Sequence, residues 1–481
     1  MSKNRNLPEN IIKIKNLFES GNNLIDYFLL CGCEPYKLLK EKKIFNLSED
    51  KDKNLNTLSE LIKPKILSKF PEFDNCNNVI NDEILSYCFP YGFQPYYDDS
   101  GNKINEYSFS VILDNNIFSS EFPQKYMTCL LFYENLEQYK NLFDEIFGNE
   151  NISSINPEII NKLKYYFIPK SLVIISKYPY TSIFPEILSS IYNYSLSNEH
   201  QIPIEKIITN LVIEVPMAPR GLSYIDFTLI NTDITLKRTD NNKMLLTDID
   251  LRNFYGLLSL DNQIEVLKHL LYGSKIIIFS ENINNITETM ISFLFILFPF
   301  KYPFYITSLL NKNNYNIIES VSPFFVGINE AYNPEFFNDN DINIEGIDFL
   351  IVDLDNNSAQ FASSSSETIP DFPSRLITNL IKSIKTIENK YLKGENAQDD
   401  QDNEEEEEEE DENENDIDKF NKIYQKTFLI FICDIIKNYQ QFLNVQYLKT
   451  TKDAKAYIEN IFKCEEFINC RQNIEFPFYT K

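Results

Sequence analysis

The chain has 481 residues, 43% of them hydrophobic and 14% aromatic, which is enough apolar surface for two to three domains. Its formal charge of -26 repels phosphate backbones and anionic lipid, so nucleic acid and general membrane adsorption are poor readings of its partners. Eight cysteines spread along this length are too sparse for a disulfide scaffold, and reduced, mostly buried thiols are expected. The pair Cys31 and Cys33 has only two histidines in the whole chain, His200 and His269, to complete a zinc site, and no second cysteine pair at zinc spacing.

Met1 to Ser20 is largely polar and lacks the apolar core of a signal peptide, and reads as an N-terminal extension. Leu24 to Cys31, bounded by Gly21 and Gly32 and rich in aromatics, predicts a strand. Ser48 to Asn56 is mostly polar and predicts a loop, and Pro64 to Phe73 is extended. Asp82 to Cys88 leads into the turn signal Phe89-Pro90-Tyr91-Gly92-Phe93. Strands follow at Glu106–Leu113, Tyr126–Tyr133 and Ser171–Ser176. The last runs through Tyr178-Pro179-Tyr180 into a helix at Ile183–Tyr194, with Ile183, Ile187, Leu188 and Ile191 on one face. A second helix, Ile204–Leu211, ends before Pro216 and Pro219, closing one α/β unit over Gly21 to Gly221.

The second half changes rhythm. Asp248 and Asp250 open one helix, and Asp261 caps another that stops at Gly273. Lys275–Ser280 is nearly all apolar, as in a parallel strand covered on both faces. A long helix, Ile283–Phe298, is stopped by Pro299. The apolar run inside it, Met290–Phe298, is too short for a bilayer, which takes about 20 residues. Strands at Phe324–Ile328 and Phe349–Leu354 make the alternation of a three-layer α/β lobe. Helical pattern returns at Leu376–Tyr391 and Phe420–Leu443. Between them, Asp399 to Asp418 holds 15 acidic and no basic residues, leaving -11 on the remainder (-26 less -15). Such a run buries no core, so residues 395–418 read as a disordered insert between helices.

Taken in order, these segments resemble the DENN family. The upstream part carries the Phe28 strand, Lys63–Pro71 (KPKILSKFP), Tyr87–Phe93 (YCFPYGF) and Tyr126–Glu134 (YMTCLLFYE). The central part carries Phe167–Tyr180 (FIPKSLVIISKYPY), Ile202–Pro216 (IPIEKIITNLVIEVP), Leu245–Ser280 and Phe293–Ile306 (FLFILFPFKYPFYI). The downstream part is thinner: Pro323–Ile328, Asp348–Asn357 and Phe428–Leu443. Tyr302 stands where the family usually has tryptophan after the helix-stopping proline, a packing change. The resemblance implies two lobes, a longin-like α/β N-lobe over residues 21–221 and a C-lobe over 222–481. The C-lobe is expected to be a three-layer α/β sandwich with extra C-terminal helices. A Rab-type GTPase is expected across the cleft between the lobes, with GDP release as the activity and membrane trafficking as the setting. The expected location is cytoplasmic, with peripheral association to vesicle or endosomal membranes through partners.

Nucleotide exchange requires no acid, base, nucleophile, cofactor or metal on the factor. It requires tighter binding to the empty GTPase than to the loaded one. The chain has no phosphate loop of the Gly-x-x-x-x-Gly-Lys-Ser/Thr type, no Gly-x-Gly-x-x-Gly and no Gly-x-Ser-x-Gly, so it reads as neither a GTPase nor a standard serine hydrolase. Six residues are candidates for GTPase contact: Glu214, Pro216 and Arg220 where the chain leaves the first lobe, and Asp248, Asp250 and Arg252 at a helix start early in the second. Arg220 ranks first as a cation among prolines and glycine. Asp250 has the alternative role of a helix cap. The rival chemistry is Asp353 and Asp355 at a strand end, which suit either a divalent metal or, the preferred reading, a turn through Asn356 and Asn357. Tyr178-Pro179-Tyr180 fits a fastening between strand and helix or a contact loop. A GTPase-binding scaffold without exchange activity is the second functional class.

Overall fold

In a computed structural model the described residues are 23–34, 51–72, 80–99, 105–114, 124–139, 163–197, 202–217, 224–237, 247–298, 300, 302–362, 369, 371–392 and 416–437. The chain divides into two compact units, residues 1–240 and 241–481.

The first unit is built on one antiparallel sheet in the order β2-β1-β6-β5-β4. It comprises β1 (Tyr27–Gly32), β2 (Lys65–Phe70), β3 (Tyr96–Tyr97), β4 (Tyr107–Ile112), β5 (Tyr126–Asn135) and β6 (Tyr166–Ser176), with β3 paired to the start of β6. β5 and β6 are apolar along most of their length and form the centre, each flanked on both sides. Helix α1 (Lys51–Leu61) occupies part of the segment expected as a loop. Its charged residues face outward while Leu58 and the following Ile62 are buried, and buried Asn54 donates to the Tyr166 hydroxyl at 2.7 Å. The helix therefore holds against the sheet through one thin apolar stripe, which a polarity reading overlooks. After the short α2 (Ile84–Cys88), α3 (Ile183–Leu196) packs on the sheet with Phe184, Ile187, Leu188, Ile191 and Tyr192 buried. α4 (Ile204–Ile213) follows, burying Ile207, Leu211 and Val212. A hairpin of β7 (Tyr224–Leu229) and β8 (Thr232–Lys237) joins this unit, tied to α3 by Ser190 and Thr232 hydroxyls 2.7 Å apart.

The second unit is a mixed five-stranded sheet in the order β10-β11-β9-β12-β13. β9 (Lys275–Phe279), β10 (Tyr305–Thr307), β11 (Phe324–Ile328) and β12 (Phe349–Asp353) are parallel, and β13 (Ser358–Ala362) turns back antiparallel at the edge. Alternation along the strands assigns the two faces. Ile277, Phe279, Phe324, Val326, Ile328, Phe349 and Ile351 join one core with Tyr315 and with Phe336 and Phe337 of α8 (Phe336–Asp339). The opposite face meets α7 (Ile283–Ile296), where Phe293 packs edge-on to Phe325. α6 (Leu260–Tyr272) also lies against this sheet, over β9, β12 and β13. Its start corrects one expectation: Ser259 is the cap residue and Asp261 lies within the first turn, favourable to the helix dipole without a capping bond. Gly273 closes the helix in the left-handed conformation, as its position suggested.

Outside these layers, α5 (Leu251–Leu257), α9 (Ser374–Tyr391) and α10 (Asp416–Lys437) pack together, with α5 and α10 also touching α7. α10 begins inside the tract expected to be unstructured. Asp416 and Asp418 form its acidic first turn, where carboxylates suit the helix dipole, while residues 399–415 lie outside the described residues. Among the described residues no helix is long and apolar enough to cross a membrane.

On α6, Glu265 takes hydrogen bonds from His269 Nε2 at 3.2 Å and Lys268 Nζ at 2.7 Å. The His269 bond chiefly, with Lys268, holds its carboxyl down at about 2 against the opposing effect of burial. A carboxylate depressed in the folded state stabilises above its unfolded value near 4.3 and loses that contribution as pH falls toward 2. Glu265 is about a third exposed, so screening reduces the effect to about 1 kcal/mol. Glu265→Gln is expected to flatten the loss of stability between pH 4.5 and 2 in urea titrations. An unchanged acid limb would show that the network contributes nothing.

Candidate partner-binding site

The candidate residues fall in both units. In the first, Glu214 is the exposed C-terminal cap of α4, its amide donating to the Asn210 carbonyl at 2.8 Å. Pro216 is exposed and forms an isolated antiparallel bridge with Asn23, and the next residue, Met217, is buried with its sulfur accepting from the Tyr180 hydroxyl at 3.9 Å. The Tyr178-Pro179-Tyr180 loop thus serves as a fastening: Tyr180 is buried and stacks edge-on against Phe184 of α3. Arg220 lies outside the described residues.

In the second unit the sequence neighbours Asp248, Asp250 and Arg252 meet at the start of α5. Asp250 has extended dihedrals, and its carboxylate accepts the Arg252 amide at 3.0 Å, so it does cap the helix. The same carboxylate grips the Arg252 guanidinium, with Nε at 2.9 and 3.0 Å and Nη2 at 2.6 Å. This pairing raises the Arg252 pKa further. α10 fixes the backbone here from the other side: Asn421 Oδ1 accepts the Leu251 amide at 2.9 Å and its Nδ2 donates to the Ile249 carbonyl at 2.7 Å. α10 is thereby clamped to the helix start that presents the charges.

One member of this cluster was missed. Glu288 on α7 is pushed above the usual carboxylate range by burial first and then by Asp248 and Asp250, with Asn253 opposing through a hydrogen bond. A signal existed: Glu288 is the single charged residue in α7. Asp248, Asp250 and Glu288 make an acidic, partly desolvated corner in which Arg252 pairs with Asp250. Carboxylates so placed favour a cationic neighbour, as the Asp250–Arg252 pair illustrates.

The rival pair is used up locally. Asp353, 3% exposed, accepts the Asp355 and Asn356 amides at 3.1 and 3.2 Å and the Asn356 side-chain amide at 2.8 Å. Asp355 instead accepts from Ser280 Oγ at 2.7 Å and the Glu281 amide at 2.8 Å. The two carboxylates serve different backbone segments and hold the strand end as a turn. Among the described residues no group of three or more acidic, cysteine or histidine residues is arranged to hold a metal ion. Cys31 and Cys33 part company in the same way: Cys31 Sγ lies 3.9 Å from Cys88 Sγ, whereas Cys33 Sγ faces the Glu34 carbonyl.

The DENN (AEX-3) domain family matches residues 167–357, from β6 through the turn after β12. The chain carries a DENN domain. All six candidate residues, and Glu288 with them, lie within the span of that DENN match. Similarity extends further in the MAP kinase-activating death domain protein of Caenorhabditis elegans, 23% identical over 366 residues, 68% of this chain and 25% of the worm protein. A DENN domain-containing protein of Schizosaccharomyces pombe is 24% identical over 179 residues, 37% of this chain and 18% of the yeast protein. The chain thus matches a quarter or less of the length of these two relatives.

Proposed function

We propose that this chain is a guanine nucleotide exchange factor for a Rab-type small GTPase, acting in membrane trafficking from the cytoplasm and reaching vesicle or endosomal membranes through its partners. The DENN-domain match over residues 167–357 carries the reading, because exchange on Rab GTPases is the activity the family resemblance implies. We assign the antiparallel first unit as the longin-like lobe and the mixed second unit as the C-lobe. The GTPase-facing positions are Glu214, Pro216, Arg220, Asp248, Asp250 and Arg252, with Glu288 added as a neighbour of the last three.

The acidic corner at α5 supports this physically. GTPase switch segments hold the nucleotide's phosphates and Mg²⁺, and a factor that draws them aside lowers nucleotide affinity by the amount it gains in binding the empty form. Asp250 is paired with Arg252, and Glu288 is made costlier to ionise by burial and by Asp248 and Asp250. A basic side chain from a switch segment would lower that cost. Release of labelled GDP from purified GTPases in the presence of this chain tests the proposal.

A further inference from the structure

α9 and α10 run antiparallel as a hairpin. Tyr391 at the end of α9 packs edge-on to Phe420 near the start of α10, and Phe372, just before α9, does so with Phe431. α9 buries Leu380, Ile384 and Ile387 on one side. On the side away from them stand Arg375, Lys382, Lys385 and Lys390, all exposed, against one acidic residue on the helix, Glu388, which accepts from the Tyr255 hydroxyl at 2.7 Å. Lys390 lies over the Tyr391 ring at 5.3 Å. Arg375, Lys382 and Lys385 form no ion pair among the described residues. In a chain of net charge -26 a cationic helix face is an anomaly that asks for an anionic occupant.

The segment that leaves this helix is the most acidic in the molecule. Residues 393–415 connect α9 to α10 and include Asp399, Asp400, Asp402, Glu404–Glu410, Asp411, Glu412 and Glu414. Both ends of this connection are anchored at the same end of the hairpin, as the Tyr391–Phe420 contact requires. Half of it, about 11 residues, reaches roughly 35 Å when extended, more than the ~27 Å length of an 18-residue helix. The tether also presents the carboxylates at an effective concentration on the order of millimolar, an advantage over any free anion.

We propose that the acidic run seats on the Arg375–Lys382–Lys385 face of α9, so that this chain covers its own cationic surface. The occupant is chosen by charge complementarity and reach, and the contact is electrostatic, shallow and salt-sensitive. It goes beyond the exchange reading and does not depend on it, since it concerns a helix face outside the candidate GTPase contacts.

Zero-length carbodiimide cross-linking of the full-length chain, read by mass spectrometry on the monomer fraction, tests it. Lys382 and Lys385 are expected to join to carboxylates within Glu404–Glu410. Those links should fall at least fivefold in 1 M salt, where the screening length is about 3 Å. They should fall comparably when Asp399, Asp400, Asp402, Asp411, Glu412 and Glu414 are changed to Asn or Gln, which leaves every reporter residue in place. Absence of the links, or links indifferent to salt and to tract charge, overturns the proposal. So does co-sedimentation of the unaltered chain with phosphatidylserine vesicles that is lost in Lys382→Glu/Lys385→Glu, because the face would then be open to lipid.

Discussion

Asp26→Ala is expected to destabilise the first unit by about 3–5 kcal/mol, because it removes the carboxylate paired with a buried ammonium. Lys125 is 2% exposed, and its Nζ lies 3.0 Å from Asp26 Oδ2, with Lys177 a weaker partner of the same carboxylate at 3.8 Å. Burial already lowers the Lys125 pKa and Asp26 opposes that effect. Without the carboxylate the folded state binds fewer protons than the unfolded one, so stability of the variant should rise with pH. Hydrogen exchange of peptides from β1, β5 and β6 should therefore show lost protection at pH 7 that is partly recovered at pH 9.5. Adding Lys125→Met should restore much of the loss at both values, since it removes the buried charge. A loss below about 1 kcal/mol, or one independent of pH, would mean that water reaches Lys125 and the pair contributes little.

Gly327→Ala should be nearly as damaging to the second unit. The strand β11 lies between β10 and β9, and a Cβ at Gly327 would stand 2.3 Å from Ile286 Cγ2 of α7 and 2.4 Å from the Ser308 carbonyl oxygen. The first neighbour is a packed branched side chain and the second is backbone, so neither gives way cheaply. Overpacking of this kind costs about 1–3 kcal/mol, and more with a second clash. Gly327→Val should leave no cooperative unfolding transition in this unit. Gly256, with nothing within 4 Å of its would-be Cβ, is the matched control, and Gly256→Ala should be neutral or slightly stabilising in α5. Equal thermal shifts for the two alanine variants would rule out the close approach of α7 to the sheet.

Strands with strong apolar or aromatic runs, such as Tyr126–Asn135 and Lys275–Phe279, were legible in the sequence, as were helices with punctuation like Gly273. Three features were not. Residues 51–56 look like a loop because α1 buries so few side chains. β6 starts at Tyr166 rather than after Pro169, and that proline is tolerated because it sits where pairing to β1 has ended and pairing to β3 has not begun. The β7–β8 hairpin turns at Ile230 and Asn231, with Ile230 at φ 60, and lacks the glycine that marks such turns. At the start of α5 the capping role of Asp250 was legible from its place just before a helical run. Glu288 was not, because its proximity arises from packing of α7 against α5, which no local pattern records.

Nucleotide release measures exchange without intermediaries. With Mg²⁺ present and GTP in excess, the purified chain should accelerate release of labelled GDP from at least one Rab-type GTPase, tenfold or more, in proportion to its concentration. Asp248→Asn, which removes a carboxylate from the corner, should reduce that rate while leaving hydrogen exchange of β9, β11 and β12 unchanged. No acceleration across a broad panel, with binding to the GTPases retained, would contradict exchange and leave the DENN domain here as a GTPase-binding scaffold.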